Sequence, residues 1–345
     1  FFKKYIFISE ICGILFYIKI FTRKWGLWKL KNKKIIPVLL GADLNCYSVA
    51  RAFHEAYGVT SEVFGKCNLG TIKYSKFINF HLIDKDITDS ALTDKLIDFA
   101  KEHAGSSLFL VGCTDDYAEK IILSQEKLSE YYFCPCPAES LVNRLIFKAS
   151  FYETCEKSGI PYPDTKVISS VDEATADNLP DFGYPMIIKP SSSVLYWKHP
   201  FDGMKKVYTA KSADEALLII KKIYTSGYPD KIILQRFVAG ADCNMSVLTC
   251  YSDKNGKVRM MCLGHVLLEE HQPHGVGNHA CIITEPNDEL MGGVRKLLED
   301  LKFTGFSNFD VKYDERDGSF KFFDFNTRQG RSNYYVTNSG FNVAK

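Results

Sequence analysis

The sequence predicts a mixed fold: an α/β, doubly wound parallel domain, followed by an α+β region built on antiparallel sheet. Three observations carry this. Between Lys34 and Pro137, short apolar runs alternate with segments of helical spacing, the pattern of βαβ units. Beyond Pro137, apolar runs pair across the turn signals Asp253-Lys-Asn-Gly256 and Asp314-Glu-Arg-Asp-Gly318, as antiparallel hairpins do. The 345 residues exceed what one small core organises, so two or three compact units are expected.

Taken in order, Ile35–Leu40 is a compact apolar run, Gly41 turns the chain, and residues 45–57 have helical spacing. Strands are expected over residues 59–64, 77–83 and 108–111, with helices over 91–103 and about 115–127. Gly41-Ala-Asp-Leu-Asn lacks the second and third glycines of a dinucleotide turn, so a tight turn is expected there. Asp115 follows a strand end, where open α/β sheets hold ligands, but aspartate is a preferred cap and capping is its expected role. A helix from about 138 to 158 carries Lys148 and stops at Gly159-Ile-Pro-Tyr-Pro. Strands over 184–189, 231–237, 244–251, 258–268, 307–313 and 320–325 follow, with a helix over 214–224. The expected units are 34–137 and 138–345, the latter with lobes of about 138–240 and 241–345. Residues 342–345 are expected to lie in a helix that continues in a longer protein.

Composition excludes several classes. The apolar fraction of 46% and charged fraction of 24% are those of a globular chain, not of a disordered or fibrous one. With 43 basic and 41 acidic side chains the net charge is +2, which offers no field for holding a polynucleotide, so no nucleic-acid partner is expected. Eleven cysteines are scattered, mostly in apolar runs, and read as free thiols in a reducing cytosol. Cys134 and Cys136 form a CxC pair with no second pair at finger spacing, so a plain loop is expected rather than zinc. Residues 5–21 are apolar but broken by Glu10 and Lys19 and followed by six basic residues. A membrane anchor, an interfacial helix and an extension outside the folded protein compete there; the third is expected, and no clear membrane span.

The last hairpin carries the chemistry. Asp310 lies in one strand, and Asp324 and Asn326 lie two apart in the next, hence on one face. If the turn pairs the strands, two carboxylates and an amide oxygen form a hard, oxygen-only site of the kind that holds magnesium together with substrate phosphates. Flanking Phe306, Phe309, Val311, Phe322, Phe323 and Phe325 make unpaired carboxylates costly there. Arg328 and Arg331 follow at once, and guanidinium forks suit carboxylate and phosphate oxygens. Lys189 closes a buried apolar run before Ser191, Ser192 and Ser193, a loop able to fold over polyphosphate. The strand ending Gln235-Arg236-Phe237-Val238 can offer a backbone edge to adenine, and Asp242 a carboxylate to ribose. His265, His271, His274 and His279 stand in an irregular Gly/Pro loop, expected as a mobile cover over substrate, with a metal cluster as the alternative.

The ordered set Lys148, Lys189, Gln235 to Val238, Asp242, Asp310 and Asp324-Phe-Asn326-Thr-Arg328 resembles the ATP-grasp superfamily from about residue 35 to the C-terminus. Arg328-Gln-Gly-Arg-Ser-Asn-Tyr-Tyr and the segment from Glu269 to His279 are similar to the D-aspartate ligase group of cell-wall enzymes. The resemblance implies a pre-ATP-grasp domain followed by an ATP-grasp fold. It implies an ADP-forming carboxylate–amine ligase in the cytoplasm, using ATP and Mg2+, two ions, with Mn2+ as an alternative; a dipeptide ligase, a bicarbonate-using carboxylase of the same superfamily and a non-catalytic nucleotide-binding protein are the alternative functions. Lys148, Lys189, Ser191 and Ser192 would contact the phosphates, and Gln235, Arg236, Phe237 and Val238 would border adenine. Asp242 would bind ribose, and Asp310, Asp324 and Asn326 would hold metal. Arg328, Lys189 and Arg331 would act on the transferred group. His271, His274, Asn278, His279, Ser332 and Asn333 are the substrate-contact candidates. The partners implied are a small amino acid and an amine acceptor, a cell-wall precursor. Asp324 stands where many members carry Glu, and Arg236 where an acidic residue is common.

Overall fold

The computed structural model describes residues 34–271 and 277–345; the expectations for residues 1–33 and for His274 fall outside these. Strands β1 (Ile35–Leu40), β2 (Ser61–Gly65), β3 (Ile78–Leu82) and β4 (Ser107–Gly112) form an all-parallel sheet in the order β3-β2-β1-β4. Period two decides what each face of β1 meets. Ile36, Val38 and Leu40 pack with Leu92 and Leu96 of helix Asp89–Glu102 and Ile121 of helix Asp115–Leu123. Leu39 packs oppositely, with Cys46, Val49 and Phe53 of helix Leu44–Tyr57. Helices on both faces make the sheet doubly wound.

The next sheet contains β5 (Thr165–Ile168), β6 (Met186–Pro190), β7 (Tyr208–Ala210) and β8 (Ile232–Arg236), antiparallel throughout and ordered β5-β8-β6-β7. Met186, Ile188, Ile232 and Leu234 bury one face against Ala216, Ile220 and Ile223 of helix Ala213–Thr225. The last sheet, β9 (Met245–Ser252), β10 (Val258–Glu269), β11 (His279–Thr284), β12 (Gly305–Asp314) and β13 (Ser319–Asn326), is antiparallel and ordered β11-β10-β9-β12-β13. Its core joins Leu248, Phe309, Val311 and Phe325 to Phe151 of helix Lys148–Ser158 and Val294 of helix Asp288–Asp300.

Among the described residues the short helices Gly70–Lys73, Ser193–Trp197 and Tyr334–Asn338 escape the sequence reading, and so do three strands and one longer helix, for local reasons. β5 and β7 are four and three residues long, too short for alternation to register. β11 is an edge strand whose residues are half-buried or exposed, and Gly292-Gly293 interrupts the helical pattern of Asp288–Asp300. The single helix expected over residues 138–158 is instead a 3-10 turn Glu139–Leu141, a short turn of helix Val142–Leu145, and the helix Lys148–Ser158. Its new start has a partner: the Lys148 and Ala149 amides donate to the Ser191 carbonyl (3.2 Å) and hydroxyl (3.3 Å), satisfying N–H groups that a helix start leaves open. Residues 342–345 form a turn rather than a helix, with the Asn342 amide donating to the Ala52 carbonyl (2.9 Å) and Tyr57 Oη donating to the Ala344 carbonyl (2.9 Å).

The last sheet meets the first domain at Gly305, whose φ is +85° and where an added Cβ would lie 2.3 Å from the Pro135 carbonyl oxygen. Both the left-handed backbone and that contact reject a side chain. Gly305→Ala is expected to cost about 3 kcal/mol of stability, read as a lowered urea midpoint. An unchanged midpoint would contradict this close approach.

Candidate active site

Strand register brings the acidic residues together: in the β12–β13 ladder Asp310 stands opposite Asp324, and Asn308 opposite Asn326. All four line a cavity of about 520 Å³. Also on its wall are Lys148, Lys198, Lys206, Arg328, Arg331, Asn278, His279, Ser332 and Asp115. The three sheets therefore converge on one site.

Several of the charged groups there already have partners. Lys148 Nζ donates to both Asp324 carboxylate oxygens, at 2.8 and 2.9 Å. Burial pushes the Asp324 pKa up, but the Lys148 and Lys189 ammonium groups outweigh it and hold the carboxyl below its usual range. Lys189 is buried, with Nζ donating to Tyr152 Oη (2.8 Å) and to the Phe323 carbonyl (3.3 Å). Burial first, then repulsion from Lys148, pulls its pKa down to about 7. His279 lies 3.6 Å from a Glu269 oxygen and 3.7 Å from an Asp310 oxygen. Burial works against its charging, yet the two carboxylates outweigh that and raise its pKa to about 9.

Arg328 is pinned by three acceptors: Nε donates to Asp115 Oδ1 (2.6 Å), and its terminal nitrogens donate to the Gln329 carbonyl (2.9 Å) and Asn326 Oδ1 (3.4 Å). Asp115 is therefore no cap. Thr114 caps the helix Asp115–Leu123 through its hydroxyl, leaving the Asp115 carboxylate to face the cavity. Burial raises its pKa, but Arg328 overrides this and lowers it. The position after β4 was a sequence signal for this; capping statistics outweighed it. Asn308, two residues before Asp310 on the same strand, was discoverable by period two, whereas nothing local marks Lys198 or Lys206.

Several candidates take other places. Asn333 is 1% exposed, with Nδ2 donating to Asn45 Oδ1 and to the Gly330 carbonyl (3.1 Å). Asn45 in turn donates to the Cys113 (2.7 Å) and Gln329 (3.0 Å) carbonyls, so these amides staple the arginine loop to the parallel domain rather than contact substrate. The Ser191 hydroxyl accepts from the Ala149 amide (3.3 Å) and the Ser192 hydroxyl from the Leu195 amide (3.2 Å) as the cap of the helix Ser193–Trp197, which leaves each O–H proton uncommitted; Ser192 alone of the two lines the cavity. β8 lies between β5 and β6, so no edge is open at Gln235 or Arg236; the ladder ends there, and Phe237 and Val238 follow it. The Arg236 guanidinium lies 2.7 Å from Asp164, and the buried Gln235 donates to Thr165 (2.8 Å) while its Oε1 has no hydrogen-bond partner among the described residues. Asp242 accepts from the Glu269 amide (2.9 Å) and His271 Nε2 (2.8 Å). His265 contacts Glu285 and the Cys243 carbonyl (2.7 Å), so the histidines have separate partners. Among the described residues no group of three or more His, Cys, Asp and Glu side chains could hold a metal ion. Among them, too, no helix is long and apolar enough to cross a membrane.

Lys189 yields a pH prediction. If Lys189 meets phosphates, as the resemblance implies, their oxygens would favour the ammonium and raise its pKa above 7, and nucleotide binding would take up on the order of one proton at pH 8. Affinity should be full below pH 7 and fall as pH rises above it. Calorimetric ATP titrations at pH 8 in two buffers of different ionisation heat should show this uptake, absent in Lys189→Met. Equal enthalpies in both buffers for the intact protein would contradict it.

No profile of a known protein family matches the chain. The chain is 40% identical over 322 residues to the D-aspartate ligase of Enterococcus faecium (strain Aus0004), covering 92% of itself and 76% of that protein. Among solved structures it resembles L-amino acid ligase from Bacillus licheniformis (TM-score 0.63, 12% identity, 90% and 72% covered). It also resembles D-alanine–D-alanine ligase from Bacillus anthracis (TM-score 0.56, 15% identity, 89% and 92% covered). A parallel domain, two antiparallel sheets and a lysine–carboxylate–arginine cavity between them define an ATP-grasp enzyme, an ADP-forming carboxylate–amine ligase. Within that class the chain belongs to the D-aspartate ligase family.

Proposed function

We propose that the enzyme activates a carboxylate of D-aspartate and joins it to an amine of a cell-wall precursor, the side-chain amine of a lysine. The cavity carries this reading: Asp310 and Asp324 face each other beneath two arginines, in a chain 40% identical to a D-aspartate ligase. The antiparallel β5–β8–β6–β7 sheet is the nucleotide lobe in this reading, and the β9–β13 sheet the catalytic one. Phe237 and Val238 offer adenine the backbone beyond the β8 ladder, and the orphaned Gln235 Oε1 suits the adenine amine. Asp242 takes the ribose hydroxyls once His271 yields. Lys148, Lys189 and Ser192 lie on the phosphate side.

The donor set fits magnesium, for Asp310, Asp324 and Asn326 supply only hard oxygens and Lys148 now stands on Asp324 as the cation. These residues would hold two Mg2+ ions, or Mn2+, together with phosphate oxygens. The metal supplies charge neutralisation on the polyphosphate. A substrate carboxylate oxygen attacks the γ-phosphorus, ADP leaves, and an acyl phosphate forms. The amine then attacks the acyl carbon and phosphate leaves. Lys148 and Lys189 hold the phosphates, and Arg328 faces charge developing on the transferred group. ATP and the precursor meet in the cytoplasm, where we place the reaction.

A phosphate-release screen over D- and L-amino acids, with and without a lysine-containing wall precursor, tests the reading. Release that requires D-aspartate and is completed by the precursor is expected. Stimulation by bicarbonate alone, without any amino acid, would overturn it.

A further inference from the structure

The cations of the cavity differ in how far they are committed. Arg328 spends Nε and both terminal nitrogens on Asp115, Gln329 and Asn326. Lys148 is closed onto Asp324, and Lys189, which is not itself on the wall, is buried with Nζ on Tyr152 Oη. Arg331 is different. Its side chain is 37% exposed, it lines the cavity, and one terminal nitrogen donates to a Glu270 carboxylate oxygen. Glu270 itself is not part of the wall, but its amide donates (2.8 Å) to the carbonyl of Asn278, which is. Of the other cations on the wall, Lys198 ends the short helix Ser193–Trp197 and Lys206 acts electrostatically on Lys189 and Asp324, the side proposed for phosphates.

We infer that Arg331 reads the second carboxylate of an acidic amino-acid substrate, and that Glu270 occupies that position until the substrate arrives. The inference deepens the D-aspartate reading and rests on it. A guanidinium presents a planar fork that matches a carboxylate with two parallel N–H bonds, which an ammonium cannot do. The carboxylate already on Arg331 shows that the guanidinium can take one while both side chains stay partly exposed, and it comes from the residue after β10 rather than from β12 or β13. Exchanging one carboxylate for another leaves the charge balance of the site intact. An amide in its place would leave the guanidinium without a charged partner.

Arg331 is thus a specificity-determining residue. Hydroxylamine replaces the unidentified acceptor by trapping the acyl phosphate as a hydroxamate, releasing phosphate. D-aspartate is compared with its two monoamides, D-asparagine and D-isoasparagine. One lacks the carboxylate to be activated; the other keeps it and lacks the partner of Arg331. The full chain should prefer D-aspartate over the latter by about 10- to 100-fold in kcat/KM, the worth of a charged hydrogen bond. In Arg331→Met that preference should vanish through a loss on D-aspartate, with the KM for ATP unchanged. Arg331→Lys should restore only part of it.

Glu270→Gln removes the competing carboxylate and should lower the KM for D-aspartate several-fold without changing kcat; it decides the matter if Arg331→Met fails to fold. Full D-aspartate preference in folded Arg331→Met, or an unchanged KM in Glu270→Gln, would overturn the inference. If the unaltered protein forms no hydroxamate with D-aspartate, the proposed function fails instead, which is a separate result.

Discussion

Asp324→Asn should lower ATP turnover by on the order of 10³-fold while the protein stays folded. The carboxylate faces Asp310 across the ladder and receives both hydrogen bonds of Lys148. Asparagine keeps the volume and one acceptor oxygen for Lys148, so the thermal midpoint should move by only a few degrees. It removes the negative charge that pairs with Lys148 and that the proposed divalent cation would need. Asp324→Ala is the harsher test, for it strands a buried ammonium; its cost falls below the usual figure for a fully buried pair because the Asp324 side chain is 21% exposed. Turnover near that of the unaltered protein in either folded variant would remove the metal-site argument.

Arg328→Met should lower kcat by about 10²- to 10³-fold, the loss of a fixed donor at developing charge, with a smaller change in the KM for ATP. Asp115 holds this guanidinium from the parallel domain at 2.6 Å, so Asp115→Asn should lower kcat by about tenfold through a less fixed arginine. The two effects should not add. With Arg328 already gone, removing Asp115 takes away an unpaired carboxylate and should recover stability relative to Arg328→Met alone. Rate assays and thermal midpoints of the single and double variants check this; strict additivity would show that Asp115 does not act through Arg328.

These residues also show what could be read before folding. Asp310, Asp324 and Asn326 were legible because strand alternation and a recognisable turn fix which side chains share a face, a local property. Lys189 was legible because it ends a buried run. Asp115 was visible as a strand-end residue, but its partner lies 213 positions away and no local rule pairs them. Asn333 misled for the opposite reason: an amide beside two arginines looks like a substrate contact, and only its bonds to Asn45 and Gly330 show it to be a staple. Likewise no local rule pairs Ser191 with the start of a helix distant in sequence.

Periodicity, turn chemistry and the order of charged residues determined by themselves the parallel first domain, the antiparallel hairpins and the acidic end of the site. These depend on φ/ψ preferences and side-chain alternation within a few residues. Only the tertiary structure decided that β8 is a central strand with no edge open at Gln235, that Lys148 closes on Asp324, that Arg328 is held by the parallel domain, and that Arg331 already carries a carboxylate. Each is a pairing between segments far apart in the chain. Such pairings follow from how whole sheets pack and from the cost of leaving a buried charge alone, and neither is encoded in a local pattern.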